Sequence, residues 1–233
     1  MSDELDTDVK DRLVAAARGA LSAVPFAGGL LGELFTEVIP GQRYDRIVAY
    51  VRLLEARITL IEAASISSAM GNPEKIDLIE RGGVQAARAT SQERIAQIVE
   101  VVAHGLEAEE AEIIRRKRLM ELLGELDDDE IAVLTAYGRS YAGGDPDAFD
   151  AIGRPSPMFL SAPREVIEQN ALYDLGVERL LRAGLLKRQF RNVKKGEFPE
   201  FDSKTGGLKG RVEISFLGRM LLRQMGILIP FQD

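Results

Sequence analysis

The sequence predicts a mainly α-helical protein, with a helical bundle first and then a C-terminal module whose helices flank a small β-hairpin. Three observations carry this expectation. Apolar residues recur at helical spacing through the first half, most clearly at Ile47, Val51, Leu54, Ile58 and Ile61, which form a heptad stripe. Capping and breaking signals cut that half into helix-sized pieces. After Gly124 and Asp127-Asp128-Asp129 the pattern changes, and the segments that suit paired strands lie at 185–190 and 212–215. The expected organisation is therefore a helical domain over residues 1–126 and a second domain over residues 127–233.

Taken in order, residues 8–24 read as a helix with Leu13, Ala16, Ala17, Ala20, Leu21 and Val24 on one broad face. Pro25 interrupts it. A second apolar stretch runs from Phe26 to Ile39, and Pro40-Gly41 is a turn signal that closes it. The heptad helix is expected over 42–70, either central to the bundle or part of a dimer seam, with Gly71-Asn72-Pro73 ending it. A short helix follows to Arg81, where Gly82-Gly83 reads as a break. Thr90-Ser91-Gln92-Glu93 reads as a capping box opening a helix whose inner face is Ile95, Ile98, Val102 and Leu106. The next helix, Glu109 to Leu123, is acidic at its start and basic later, the order that suits the helix dipole. In the second half, helices are expected at Asp128–Tyr141, Arg164–Asn170 and Leu172–Ala183. Gly184 is the last one's stop, and Ser215 is the cap of a final helix.

Composition removes several chemistries. With no Cys, disulfides, thiolate metal sites and cysteine nucleophiles are excluded, and a single His rules out multi-His metal sites within one chain. The expectation is no catalytic residue, no metal and no cofactor. The acidic start MSDELDTDVKD is unlike the basic start of a secretory signal, so the cytoplasm is the expected location. The formal net charge is −7, which opposes general nucleic-acid binding. The charge is uneven, however, and residues 187–223 hold ten basic groups against four acidic ones.

The second half resembles the winged-helix family. The residues that carry the likeness are LYDLGVERLLRAGLLKRQF and VEISFLGRMLLRQM. In that family a Leu-x-x-x-Gly-Leu phrase leads from the third helix into the first strand, and Leu180 to Leu185 has this form. A Ser/Thr-x-x-Gly phrase leads out of the second strand, and Ser215-Phe216-Leu217-Gly218 has this form. The resemblance covers about residues 127–229. It implies a third helix able to enter a major groove and a basic wing that touches backbone phosphates. Arg179 and Arg182 on that helix are the candidates for the first role, but Asp174 and Glu178 cancel their charge. Arg191, Lys194, Lys195, Lys204, Lys209 and Arg211 are the candidates for the second. The overall layout is also similar to that of abortive-infection alpha proteins of phage defence, a likeness of plan that carries no residue role.

Gly19–Gly32 holds no charged residue, but its 14 positions fall short of the roughly 20 that a membrane span needs. Phe26, Leu30, Leu31, Leu34 and Phe35 are thus expected either as packed core or as a segment that enters a membrane under a trigger. Glu100 and His104 share a helix face, which a metal or an acid–base pair requires, but nothing else converges on them. For Arg115–Arg118 a solvated face is expected, with Glu112 pairing Arg115 and Arg116. The function expected is that of a non-enzymatic bacterial binding protein in phage defence or stress response, with the winged helix as its interaction module. The two rivals are a transcriptional regulator using the basic wing and a membrane-perturbing effector using residues 13–39. Candidate partners are nucleic acid through the wing, a protein, a second copy of the chain, and a membrane conditionally.

Overall fold

The computed structural model describes residues 31–61, 65, 69, 71–156, 161–190, 198–202, 207, 208 and 210–230; for 31–42, 44, 202 and 207 it describes the backbone alone. The helix expected over 8–24, with Phe26 and Leu30, lies outside the described residues. The chain is mainly helical and divides into two compact units. The first comprises residues up to Glu125 together with Gln224–Gly226, and the second comprises Leu126–Arg223 and Ile227 onward.

In the first unit, α1 spans Leu31–Ile58, α2 Pro73–Ala86, α3 Gln92–Glu107 and α4 Glu110–Glu125. Leu31, Leu34 and Phe35 all fall within α1. The helix runs through Pro40-Gly41, against the expected turn. A single proline costs a helix about 3 kcal/mol, and a local preference of that size yields to packing summed over a 28-residue helix. The helix also closes earlier than 70. Thr59–Ile61 form a turn in which the Thr59 hydroxyl donates to the Ala56 carbonyl at 2.7 Å, an alternative partner for helical backbone. The heptad stripe is consumed inside this unit, since Ile47, Leu54, Ile58 and Ile61 are buried, so it does not form a dimer seam.

Helix α3 is the centre of the unit and packs on α1, α2 and α4. Its predicted inner residues Ile95, Ile98, Val102 and Leu106 are all buried. Its cap sits one position later than expected, with Ser91 accepting from the Arg94 amide at 3.1 Å. Helix α2 passes through Gly82-Gly83 rather than breaking there. A Cβ at Gly82 would stand 2.5 Å from the Tyr50 hydroxyl and 2.7 Å from Val102 Cγ2, so this glycine is present for close approach, not for a turn.

Charge order on the surface follows the sequence. Glu112 pairs with Arg115 at 3.2 Å and with Arg116 at 3.1 Å, as expected, but the run is not one solvated face: Arg115 and Arg118 are exposed, whereas Arg116 and Lys117 are half-buried against the unit. Lys117 reaches Glu74 and Asp77, and Arg81 bridges Asp77 and Glu121, each at 2.9 Å. Burial alone would raise the Asp77 carboxyl, but hydrogen bonds from Lys117 and Arg81 outweigh it and hold the group below the usual carboxylate range. A carboxylate lowered in this way stabilises the fold above its unfolded pKa, and that stability is lost as pH falls through the folded value. Asp77→Asn is expected to flatten the acid side of the first unit's stability profile. The expected change is under about 1 kcal/mol because the group is exposed; urea melts between pH 7 and pH 3 measure it, and an unchanged acid slope contradicts it.

The second unit holds α5 at Asp128–Arg139, α6 at Arg164–Arg182, β1 at Leu186–Gln189, β2 at Phe201–Asp202, β3 at Gly207–Leu208, β4 at Arg211–Ile214 and α7 at Phe216–Gln224, whose last residue counts with the first unit. Strands β1 and β4 pair antiparallel from Leu186 opposite Ile214 to Gln189 opposite Arg211. A second, shorter antiparallel ribbon joins β2 to β3 within their connection. The two short helices expected at 164–170 and 172–183 are a single helix, α6. Among the described residues, two α-helices rather than three therefore precede the first strand of this unit. Nothing between Asn170 and Leu172 breaks a helix, since Ala171 is the best helix former. No described helix is long and apolar enough to cross a membrane.

Candidate functional site: an arginine and aromatic cleft

Local signals just before β1 and just after β4, at one end of the strand pair, build the scaffold. Helix α6 ends in a Schellman motif: the Leu185 amide donates to the Leu180 carbonyl at 2.9 Å and the Gly184 amide to Leu181 at 3.1 Å, with Gly184 at φ +72. Ser215 locks this end to the start of α7. Its hydroxyl donates to the Gly184 carbonyl at 2.6 Å and accepts from the Gly218 amide at 3.0 Å. The Leu180–Leu185 and Ser215–Gly218 phrases thus meet as one joint.

Helix α5 begins with the Asp run, as expected. Asp127 and Glu130 form a reciprocal capping box at 2.8 and 3.0 Å. Glu130 is only 2% exposed, and Arg179 of α6 approaches it at 3.1 Å and Asp127 at 3.7 Å. Arg179 therefore ties α6 to α5 and is not held ready for base edges. Arg188 of β1 pairs in the same way with Glu178 of α6. Arg182 is exposed at the end of α6. Ile167, Leu172 and Leu175 stand outward on that helix, while Val177 and Leu180 face inward.

The end of α5, the loop after it and β4 enclose a cleft of about 720 Å³. Tyr137, Tyr141 and Phe149 supply flat apolar walls, and Arg154, Arg211 and Glu213 supply charge. Tyr137 and Phe149 meet edge to face, with centroids 4.9 Å apart. The Arg154 guanidinium lies 5.2 Å from the Phe149 ring centre and 5.6 Å from that of Tyr173. Arg219 similarly covers Tyr141 at 4.7 Å. Burial raises the Tyr137 phenol well above its ordinary value and the Tyr173 phenol above its own, so both stay neutral at physiological pH. At the lip, Ala142 holds φ 53, the one non-glycine residue in the left-handed region among those described, and such strain concentrates at working sites.

Of the cations that the sequence marks as binding candidates, Arg211 lines this cleft, whereas Arg179 and Arg182 belong to α6. Arg191, Lys194, Lys195, Lys204 and Lys209 lie outside the described residues. The sequence marks Tyr137, at helical spacing with Ile131 and Leu134, but Tyr141, Phe149 and Arg154 escape it. They sit in and around the Gly- and Pro-containing segment 143–163, where no periodicity marks a common face.

The Glu100–His104 pair does not form a dyad. The Glu100 carboxylate is taken by Arg57 Nε at 3.1 and 3.2 Å, and His104 Nδ1 points to the Glu100 main-chain carbonyl at 2.9 Å. Because a carbonyl only accepts, Nδ1 is assigned the proton. Among the described residues, no group of three His, Asp or Glu side chains is arranged to hold a metal ion. Compared with known proteins, the chain matches no family model, no curated protein and no solved structure.

Proposed function

We propose that this chain is a bacterial binding protein without catalysis of its own, acting in phage defence or stress response, whose second unit is a winged-helix-like recognition module. The order α5, α6, β1, β4, α7 and the joint between Gly184 and Ser215 support the winged-helix reading. The partner meets the strand side of the module. One observation carries this: Arg154 and Arg211 line the cleft beside three aromatic walls, while Arg179 and Arg188 are spent on Glu130 and Glu178. Such a cleft recognises an anionic group presented beside a flat apolar one.

The second reading, a regulator that grips nucleic acid through the wing, draws on the basic excess of residues 187–223. One set of titrations tests both. Fluorescent duplex DNA, single-stranded DNA and an acidic aromatic peptide are titrated into the protein at low salt. Binding to at least one probe is expected, weakened at least about tenfold in Arg154→Ala/Arg211→Ala, since charge-assisted contacts contribute on the order of 1.5–3 kcal/mol each. If DNA alone binds, and removal of the charges at Lys194, Lys195, Lys204 and Lys209 abolishes it, the regulator reading holds. Binding of no probe, or full binding by the double arginine variant, overturns the cleft as the recognition site.

A further inference from the structure

The outward face of α6 carries six residues at one repeating interval: Glu165, Glu168, Leu172, Leu175, Arg179 and Arg182. Their spacing is 3, 4, 3, 4, 3, the heptad seam of a coiled coil, and all six are exposed. Leu172 is 70% and Leu175 54% exposed, and they stand side by side on the one face at the middle of the seam. The face is also self-complementary. Reversed end to end about its midpoint between Tyr173 and Asp174, Leu172 falls opposite Leu175, Glu168 opposite Arg179, and Glu165 opposite Arg182. The helix dipole accounts for acid at the start and base at the end. It does not account for these charges sharing one seam with two exposed leucines.

We propose that α6 is the dimerisation element of this protein and pairs antiparallel with α6 of a second copy in that register. The pattern fits a two-fold interface, because each unlike pair then occurs twice, once on either side of the axis. Arg179 is already held by Glu130 at 3.1 Å and Asp127 at 3.7 Å, and Glu168 by Arg164 at 2.6 Å, so the register rests on the two leucines and on the outer Glu165 and Arg182 pair. The seam is short, about 27 Å of helix, so the dimer is expected to be concentration-dependent. It stands independently of what the cleft binds.

Glu165 and Arg182 provide the test because they face each other only in this register. Glu165→Arg sets like charges opposite each other on both sides of the axis, and Arg182→Glu does the same with opposite sign. Each variant alone is expected to dimerise about tenfold more weakly than the natural chain in sedimentation equilibrium. An equimolar mixture restores the dimer, because every facing pair is then Arg with Glu. Leu172→Gln is expected to abolish dimerisation with unchanged circular dichroism. A natural chain that stays monomeric at the highest soluble concentration overturns the proposal, as does a dimer indifferent to Glu165→Arg. A mixture no tighter than its parts overturns the antiparallel register.

Discussion

Gly218→Ala is expected to unfold the second unit's strand pair, at a cost of about 3 kcal/mol. A Cβ at this position would stand 2.3 Å from the Leu185 carbonyl oxygen, with Ile214 Cγ1 at 2.9 Å and Leu134 Cδ1 at 3.2 Å. A side chain can rotate out of such a clash, but the Leu185 carbonyl cannot. It already accepts from the Ser215 amide at 2.9 Å, the bond that continues the β1–β4 ladder into α7. Relief therefore requires α7 to move off the sheet, which also takes the Gly218 amide from the Ser215 hydroxyl. The control is Ser215→Ala, which keeps the space and removes only the hydroxyl's two bonds, at about 1–2 kcal/mol. Hydrogen exchange of the Lys187, Gln189, Arg211 and Glu213 amides, which face across the pair, reads both. Protection of these amides in Gly218→Ala equal to that of the natural chain contradicts the packing described.

Tyr50→Ala is expected to cost the first unit about 3–5 kcal/mol, the range for removing a large buried ring. Tyr50 is fully buried, its ring is overlaid by the bare backbone of Gly82, and its hydroxyl donates to the Ile79 carbonyl at 2.9 Å. Burial raises the phenol far above its ordinary value, so it remains a neutral donor throughout the accessible range. Tyr50→Phe keeps the ring and leaves the Ile79 carbonyl one partner short, at about 1–2 kcal/mol. Separate denaturant transitions for the two units are the measurement, since a two-unit chain is not expected to melt as one. A Tyr50→Ala protein whose first transition stays in place means that the ring does not hold α1 to α2.

Tyr50 also illustrates how far the sequence could be read. The apolar stripe at Ile47, Val51, Leu54, Ile58 and Ile61 was visible because its members are aliphatic. In the fold Val51 is only half-buried, and Tyr50, three after Ile47 and four before Leu54, takes the deeper place. A polar-tipped ring gives no hydropathy signal that would rank it above a valine. Gly82-Gly83 misled for a related reason. Glycine disfavours a helix locally, and only the arrival of Tyr50 and Val102 shows why it stands inside one. Phe149 and Arg154 lay at positions without periodicity, and Arg211 alone among the wing candidates reaches the cleft within the described residues.

What the sequence determined by itself is local: the Asp127–Glu130 box, the Gly184 stop, the Ser215 cap, and the face shared along α3. These depend on residues within a turn or two of one another, where spacing alone decides geometry. Tertiary structure decided which face of each helix is covered, whether a breaker breaks, and which cations remain available. The α6 leucines are legible as a stripe but not as an exposed one, and Arg179 is legible as a cation but not as Glu130's partner. Burial and pairing depend on what arrives from elsewhere in the chain, and no local pattern records that arrival.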